Sequence, residues 1–373
     1  MSLDAIWPAV PPGSHKLLMS LLVIVGLLLG RSVCHGLRIR RRAPERLLIL
    51  GTNPLARRVI EEIGGRPALP CAIVAVIQDA EKLDLAIKAT RPDRIIVALD
   101  EGPPPPFGLL LETRARGIVV ERAVETYERL TGKLALEALP APRVVFSRDF
   151  EPSRLQLALT RQLSVVLASL GLIVCLPLLA VLAVAIKLDS RGPVFFVQER
   201  VGRRGRTFRL VKFRTMHPIE QSRSEWERDN YDRITRAGRW LRRYRLDELP
   251  QLVNILRGHM NLVGPRPHPV SNLAALARAV RGLHEDAIPY YVLRCAVRPG
   301  ITGWAQVRYR YANLLEEEME KARYDLYYVK HVSLWLDIRI LAETVKAVFT
   351  GRGLARPVAV AKRGDDADRL EAA

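Results

Sequence analysis

A mostly apolar stretch of 24 residues, LSVVLASLGLIVCLPLLAVLAVAI, begins at Leu163 and ends just before Lys187. A helix of that length is sufficient to cross the hydrocarbon core of a bilayer. Basic residues lie on both sides of the stretch, namely Arg154, Arg161, Lys187 and Arg191. Because positive residues concentrate on one side of a membrane, this symmetry disfavours a simple crossing. Pro177, near the middle, removes a backbone hydrogen bond and kinks a helix.

Two paths through the membrane are consistent with this stretch. A re-entrant helix over residues 163–187, which enters and leaves the same leaflet, reconciles the basic flanks with the central proline. An ordinary kinked span is the alternative, because prolines occur in membrane helices and the charge rule is a statistical tendency. The residues of the stretch alone leave both paths open.

A shorter apolar run, LLMSLLVIVGLLLG, lies between Lys16 and Arg31 and predicts a transmembrane helix over residues 14–36. It lacks an A-x-A-like cleavage site, so we interpret it as an anchor and not as a signal peptide. Six arginines follow it closely: Arg31, Arg38, Arg40, Arg41, Arg42 and Arg46. Since only Lys16 precedes it closely, the positive-inside rule places the downstream chain in the cytoplasm.

The charge and cysteine content of the chain limit the kinds of molecule that it is expected to bind. The 373 residues have room for two domains, and 58 Lys and Arg against 39 Asp and Glu give a net charge of +19. Such a charge suits nucleic acid, an anionic membrane surface or phosphorylated substrates. The membrane anchor argues against nucleic acid, and four phenylalanines at strand spacing are expected to pack inward: Phe195, Phe196, Phe208 and Phe213. The four cysteines form no CxxC pair, which argues against a zinc site and a disulfide framework.

Residues 46–150 have the pattern of a small α/β domain of Rossmann type. RLLILGTNPLARRVIEEI predicts a strand, a tight turn and an amphipathic helix, and CAIVAVIQ and RPDRIIVALD predict further strands. The turn from Gly51 to Ala56 keeps only the first glycine of G-x-G-x-x-G, with Asn53 where a pyrophosphate requires close backbone approach. We therefore favour a docking or regulatory module over a dinucleotide site.

The segment after Lys187 carries the candidate chemistry. Short β-rich pieces at 194–198 and 208–213 lie among many arginines, which favours binding of polyphosphate or lipid headgroups. Apolar residues at helical spacing predict a helix through LDELPQLVNILRG that ends at Gly258. Asp247 near its N-cap, with Pro250 soon after, would place Asp247 and Glu248 at the helix N-terminus, an end that attracts phosphate.

An ionised aspartate at such a position can attack phosphorus in covalent catalysis. A divalent cation would offset the repulsion between the two anions, and Mg²⁺ suits carboxylate and phosphate oxygens. The alternative is an ordinary capped surface helix with two acids in its first turn.

Four blocks of sequence, taken in order over roughly residues 152–350, resemble the bacterial sugar transferase family of monotopic polyprenol-phosphate phosphoglycosyl transferases. The blocks are KLDSRGPVFFVQERVGRRGRTFRLVKFRTM, RLDELPQLVNILRGHMNLVGPRP, RPGITGWAQV and YDLYYVKHVSLWLDIRILAETV. The upstream α/β segment, with TYERLTGKLALEAL, resembles longer exopolysaccharide-initiating members of that family. The resemblance implies an α/β, membrane-anchored enzyme with a re-entrant helix and interfacial amphipathic helices, in agreement with the charge pattern.

The family's reaction transfers sugar 1-phosphate from a UDP-hexose to polyprenol phosphate, which releases UMP. By resemblance, Asp247 is the nucleophile that forms a phosphosugar intermediate and contacts Mg²⁺, and Glu248 is its partner carboxylate. Pro177 corresponds to the helix-breaking proline, although Leu176 replaces the serine that commonly precedes it. Further positions assigned to substrate or phosphate binding are Lys212, Arg214, Arg245, Arg266, Asp325 and Asp337. Structural ion pairs are the alternative for Lys212, Arg214 and Asp337, a turn-stabilising role for Arg266, and helix packing for Asp325.

The resemblance also implies partners and location. Expected ligands are a UDP-hexose, with glucose or galactose ahead of N-acetylated sugars, polyprenol phosphate and membrane lipid. A homo-oligomer and glycan-assembly proteins are further candidate partners, and the catalytic domain is expected on the cytoplasmic face of the bacterial inner membrane. Residues 351–373 are polar and predict a disordered tail. An inactive membrane scaffold and an enzyme that transfers the intact sugar, releasing UDP, are the rival hypotheses.

Overall fold

The computed structural model describes residues 44–66, 69–99, 105–136, 146, 148–217, 233–270, 292–309 and 315–350. The chain forms two compact units, which divide between Thr131 and Gly132. The predicted anchor at 14–36 and the predicted tail at 351–373 lie outside the described residues.

The first unit contains a four-stranded parallel sheet. Its strands are β1 (Glu45–Leu50), β2 (Cys71–Ile77), β3 (Arg94–Val97) and β4 (Val119–Arg122), in the spatial order β2-β1-β3-β4. Leu47 to Leu50 of the central strand β1 are fully buried, because helices cover a parallel sheet. The prediction of an α/β architecture is confirmed.

Four helices connect or follow these strands: α1 (Pro54–Gly64), α2 (Leu83–Thr90), α3 (Phe107–Ala115) and α4 (Ala123–Thr131). The Asn53 side chain caps α1 by accepting a hydrogen bond of 2.8 Å from the Ala56 amide. Gly51 has a φ of +103°, and a Cβ there would lie 2.1 Å from the Ala98 carbonyl oxygen. Backbone packing between the ends of β1 and β3 thus accounts for this glycine without a bound pyrophosphate.

The second unit is organised around one long helix, α5, from Arg154 to Asp189. A capping box formed by Ser153 and Gln156 begins it. The helix is longer than the predicted range 163–187 at both ends, and it continues through Pro177. By length and composition it could cross a membrane, and only 11% of the residues in its most apolar part are buried.

The second unit continues with short elements. A hairpin pairs β5 (Phe195–Val201) with β6 (Thr207–Phe213), and two strands, β7 (Asn261–Val263) and β8 (Gly300–Thr302), pair in parallel. The remaining helices are α6 (Arg236–Arg243), α7 (Gln251–Leu256), α8 (Trp304–Arg308), α9 (Leu315–Lys330) and α10 (Leu334–Phe349), with 3-10 turns at Arg203–Gly205, Leu246–Glu248 and Leu293–Ala296.

The hairpin confirms the two predicted strands, but the predicted inward packing holds for only two of the four phenylalanines. Phe208 and Phe213 are buried, whereas Phe195 and Phe196 are each 48% exposed. That expectation was wrong for the latter pair because, among the described residues, this end of β5 pairs with β6 alone and no further strand covers it. Phe195 covers Phe213 from outside, with ring centroids 5.5 Å apart.

Residues near both ends of α5 pack against other elements of the second unit. Near its start, Arg161 donates a hydrogen bond of 2.9 Å to the Met260 carbonyl, and the Ser164 hydroxyl accepts one of 3.1 Å from the Leu262 amide. Near its end, Leu182 and Ile186 share a buried apolar cluster with Phe213 and Leu241 of β6 and α6. The segment just after Thr131 also belongs here, because Leu134 and Phe150 lie in the main core of this unit.

Candidate active site

Asp247 and Glu248, the acidic pair, lie in the segment that connects α6 to α7. Thr235 caps α6 by accepting a hydrogen bond of 2.9 Å from the Gly238 amide. A Cβ at Gly238 would lie 2.1 Å from the Thr215 carbonyl oxygen, so glycine allows the helix to approach the strand end closely. After α6 the chain reverses through Arg245, whose φ of +53° is in the left-handed region.

The predicted helix through LDELPQLVNILRG forms only in part. Asp247 and Glu248 lie in the 3-10 turn Leu246–Glu248, and α7 begins later, with Pro250 as its N-cap. The expectation that Asp247 caps this helix was therefore wrong, because the Leu249 amide bonds to the Leu246 carbonyl and the acids close their own turn. The predicted end is confirmed, since α7 stops at Leu256 and Gly258 follows with a φ of +84°.

Asn254 attaches α7 to the hairpin. Its side-chain amide donates to the Arg209 carbonyl at 2.7 Å, and its side-chain oxygen accepts from the Val211 amide at 3.0 Å. The side chain is 1% exposed. Because both bonds are made to β6, this buried asparagine sets the position of the acidic turn relative to Lys212 on the same strand.

Glu248 is the centre of a buried ionic cluster. Its Oε1 lies 3.0 Å from Lys212 Nζ and 3.2 Å from Arg266 Nη2. Burial would by itself raise the pKa of Glu248, but Lys212, Arg266 and Arg245 together lower this pKa well below its usual range. Burial also lowers the pKa of Lys212, against the attraction of the two carboxylates. The ionised form of Glu248 is thus stabilised by two adjacent basic side chains.

Asp247 has the opposite environment although it is the adjacent residue. Burial and the neighbouring Glu248 charge raise the pKa of Asp247 to about 6, against the attraction of Lys212, Arg242 and Arg266. Its side chain is partly accessible, and among the described residues none donates a hydrogen bond to it. Such a carboxylate is ionised at neutral pH and can react with, or bind to, an incoming group.

A shallow, open depression lies beside Lys212 and Arg266, the two cations that contact Glu248. Its polar lining comprises Lys212, Arg266, Arg200 and Gln251. Sequence reasoning missed Arg200 and Gln251. The alternation of the hairpin could have found the first, because Arg200 lies opposite Phe208 and therefore on the same face as Lys212. The three cations of this lining are groups that bind phosphate oxygens.

The structure places three of the predicted binding residues outside this cluster. Arg214 donates to the Ser190 carbonyl at 2.7 Å and to the Arg191 carbonyl at 3.0 Å, at the C-terminal end of α5. Such bonds satisfy carbonyls that a helix end leaves without partners. For Arg214 these contacts favour the structural alternative.

Asp325 lies on α9 and Asp337 lies on α10, and both side chains are buried in the second unit. Asp337 accepts a hydrogen bond of 2.8 Å from the Tyr328 hydroxyl, and burial raises its pKa to about 7. Asp325 forms an ion pair of 2.5 Å with Arg294. Both aspartates are 1% exposed, and their protein partners favour the structural alternatives for these two positions.

The residues of this site suit a magnesium ion that is bound by one carboxylate together with substrate phosphates. Among the described residues, no group of three or more His, Cys, Asp or Glu side chains could hold a metal ion by itself. Mg²⁺ is, however, commonly bound through one or two carboxylates together with substrate phosphates. Asp247, with its accessible carboxylate, fits that arrangement, and Glu248, already held by Lys212 and Arg266, fits it less well.

Comparison with known proteins places this geometry in context. The chain is 38% identical over 227 residues to a UDP-N-acetylgalactosamine-undecaprenyl-phosphate N-acetylgalactosaminephosphotransferase of Aeromonas hydrophila, covering 61% of this chain and 51% of that protein. It is 39% identical over 220 residues to a UDP-glucose:undecaprenyl-phosphate glucose-1-phosphate transferase of Escherichia coli, covering 58% of this chain and 46% of that protein. The chain thus spans about half the length of these two relatives.

A shorter relative is matched over its whole length. An exopolysaccharide production protein of Rhizobium leguminosarum is 40% identical over 204 residues, which cover 53% of this chain and 100% of that protein. The family model for the bacterial sugar transferases matches residues 155–351, more than half of the 373 residues, and this range contains all of α5 after its first residue, the acidic turn and the depression. The chain therefore belongs to the bacterial sugar transferase family.

Proposed function

We propose that this protein transfers sugar 1-phosphate from a UDP-hexose to undecaprenyl phosphate, which releases UMP and forms a polyprenol-diphospho-sugar. The observation that carries the proposal is the contrast between two adjacent carboxylates. Glu248 is held by Lys212 and Arg266, whereas Asp247 is partly accessible, and burial beside Glu248 raises its pKa to about 6. The printed functions of the relatives, which act on UDP-sugars and undecaprenyl phosphate, agree with this proposal.

In the proposed first step, a carboxylate oxygen of Asp247 attacks the β-phosphorus of the donor. The new bond joins this oxygen to phosphorus, the bond from the β-phosphorus to the bridging oxygen breaks, and UMP leaves with the electron pair. In the second step, a phosphate oxygen of undecaprenyl phosphate attacks the same phosphorus. The bond to Asp247 then breaks, which restores the carboxylate.

The basic residues of the depression bind and orient the charged groups in this scheme. The Arg266 side chain is 38% exposed, so its guanidinium can contact a phosphate oxygen while it neutralises Glu248. Lys212 is more deeply buried and keeps Glu248 ionised beneath the donor. Mg²⁺ bound by Asp247 and the donor phosphates would reduce the repulsion between carboxylate and diphosphate.

The packing of α5 supports a re-entrant path for this helix. Residues near both ends, such as Ser164 and Ile186, contact the same second unit, which is difficult if the two ends lie on opposite sides of a bilayer. Under this proposal the site lies on the cytoplasmic face of the inner membrane, where UDP-sugars are made. We place the reaction at the start of exopolysaccharide or other surface-glycan assembly.

The first unit is proposed to be a Rossmann-like docking module for glycan-assembly proteins or for a second copy of the chain. The sheet order and the packing role of Gly51 support such a fold without requiring a nucleotide.

Nucleotide release tests the reaction. Purified protein in detergent would receive UDP-glucose, UDP-galactose, UDP-N-acetylglucosamine or UDP-N-acetylgalactosamine, with Mg²⁺ and undecaprenyl phosphate, beside the variant Asp247→Asn. We expect UMP from at least one donor and none from the variant. Release of UDP would instead indicate transfer of the intact sugar, and folded protein that releases no nucleotide would favour the inactive scaffold.

Topology is tested separately with single cysteines at Arg154 and Arg191, both exposed at the ends of α5, in a cysteine-free background. A re-entrant helix predicts that a membrane-impermeant thiol reagent labels both positions only from the cytoplasmic side. Labelling of the two positions from opposite sides would establish a simple span.

A further inference from the structure

A second buried ion pair lies behind the acidic cluster. Arg294 is in the 3-10 turn before β8, and its guanidinium contacts Asp325 of α9 at 2.5 Å. The two side chains are only 5% and 2% exposed. Burying two charges is costly even when they pair.

The same guanidinium reaches the chain at Arg266. Arg294 Nη2 donates a hydrogen bond of 3.3 Å to the Arg266 carbonyl oxygen. Arg266 stands between Pro265 and Pro267, two residues that restrict the backbone. Its side chain points to Glu248 while its carbonyl faces Arg294, so this peptide connects the buried pair to the candidate diphosphate site.

The carbonyls on either side of Arg266 are also bound. The Gly300 amide donates to the Pro265 carbonyl at 3.0 Å, and the Arg200 guanidinium donates to the Pro267 carbonyl at 3.2 Å. Three consecutive carbonyls are thus held from three different parts of the second unit. The central carbonyl, that of Arg266, is bound by the Arg294 side chain, and Asp325 balances the charge of Arg294.

We infer that Arg294 and Asp325 are positioning residues for the diphosphate-binding arginine: Asp325 holds Arg294, Arg294 holds the Arg266 backbone, and the Arg266 guanidinium is thereby kept at the donor phosphates. The inference rests on the proposed function. Asp325 does not contact substrate in this scheme, because its carboxylate is buried against Arg294 and an anion facing a diphosphate would repel it. This differs from the substrate-binding role that the family resemblance implied for Asp325.

The test compares Arg294→Gln and Asp325→Asn with the wild type in detergent. The readouts are the dissociation constant for UDP by calorimetry and the KM values for the UDP-sugar and for undecaprenyl phosphate. We expect both variants to weaken UDP binding and raise the donor KM on the order of ten- to hundredfold, as misplacement of a binding group does. The acceptor KM should change much less.

Two comparisons separate positioning from a loss of general stability. In an Arg266→Gln background, Arg294→Gln should add little further loss of UDP affinity, because the group that it positions is already absent. Tyr328→Phe is the matched control: Tyr328 is on the same helix as Asp325 and is 2% exposed, and the substitution removes the buried hydrogen bonds of its hydroxyl to Asp337 and to the Val263 carbonyl. It should lower the melting temperature without changing UDP affinity.

Unchanged UDP affinity in folded Arg294→Gln or Asp325→Asn would overturn the inference, and so would fully additive losses with Arg266→Gln. If neither variant folds, Arg294→Lys retains the charge opposite Asp325 but has a shorter reach to the Arg266 carbonyl, and unchanged affinity there would also overturn it. Wild-type protein that binds UDP but releases no UMP would refute the proposed function while leaving the affinity comparison decisive for the positioning role.

Discussion

Replacing Asp247 by asparagine should make the folded protein more stable while it removes the proposed nucleophile. Burial and the adjacent Glu248 raise the pKa of Asp247 from 3.8 to about 6. Each pKa unit corresponds to about 1.4 kcal/mol, so keeping this carboxylate ionised destabilises the folded state by roughly 2–3 kcal/mol. Asparagine has nearly the same shape without the charge. The melting temperature of the variant should therefore rise by roughly 5–10 °C at about pH 8.

The gain has a defined pH dependence. A carboxyl group whose pKa is higher in the folded than in the unfolded state gains a proton on folding between about pH 4 and pH 6. Its stabilising contribution is fully present below about pH 4 and is lost as the pH rises through about 6. Asp247→Asn lacks this titration. The melting temperature of Asp247→Asn should therefore exceed that of the wild type most above about pH 7, and the difference should disappear near pH 4.

Glu248→Gln is the control, since it makes the same chemical change one residue away. The pKa of Glu248 is lowered, so its ionised form stabilises the fold above the unfolded pKa of 4.5, and that contribution is lost progressively as the pH falls below this value. The variant leaves Lys212 and Arg266 without their carboxylate and should lose about 3–5 kcal/mol at neutral pH. Thermal unfolding in detergent measures both variants. If the melting temperature shifts in the same direction in both variants, the two carboxylates do not differ as their pKa values indicate. A gain in Asp247→Asn that does not depend on pH would also contradict the raised pKa of Asp247.

Three further predictions follow from individual contacts. The kcat/KM for UMP release should fall tenfold per pH unit below about pH 6, as Asp247 becomes protonated, whereas a flat profile to pH 5 would exclude it as the ionised nucleophile. Asn254→Leu removes two buried hydrogen bonds to β6 and should lower the free energy of unfolding by about 1–3 kcal/mol in denaturant titrations; an unchanged midpoint would show that other contacts hold α7. Arg214→Met should lower the melting temperature without raising the KM for the UDP-sugar, while Arg266→Gln should raise that KM; equal effects on KM would return Arg214 to the binding site.

Several elements of the fold follow from local sequence patterns. The apolar run around Pro177 specifies a long helix by composition alone, and its boundaries were underestimated because Ser153 and Gln156 extend it by a capping box. The α/β pattern of residues 46–150 likewise predicted three of the four strands of the first unit, β1, β2 and β3, but not β4. The acidic turn was harder, because the helical spacing of apolar residues continues from Leu246 to Leu256 although the backbone changes from a 3-10 turn to an α-helix.

The order of motifs in the sequence was sufficient to identify the family and to select Asp247 and Glu248 as the candidate reactive pair. Only the tertiary structure decides how the two differ. Lys212, 36 positions before Glu248, is brought to it by the hairpin and by Asn254, and Arg266 reaches it from the opposite side. A carboxylate's pKa depends on burial and on charges within a few ångströms, and those neighbours are set by long-range contacts that no local pattern encodes.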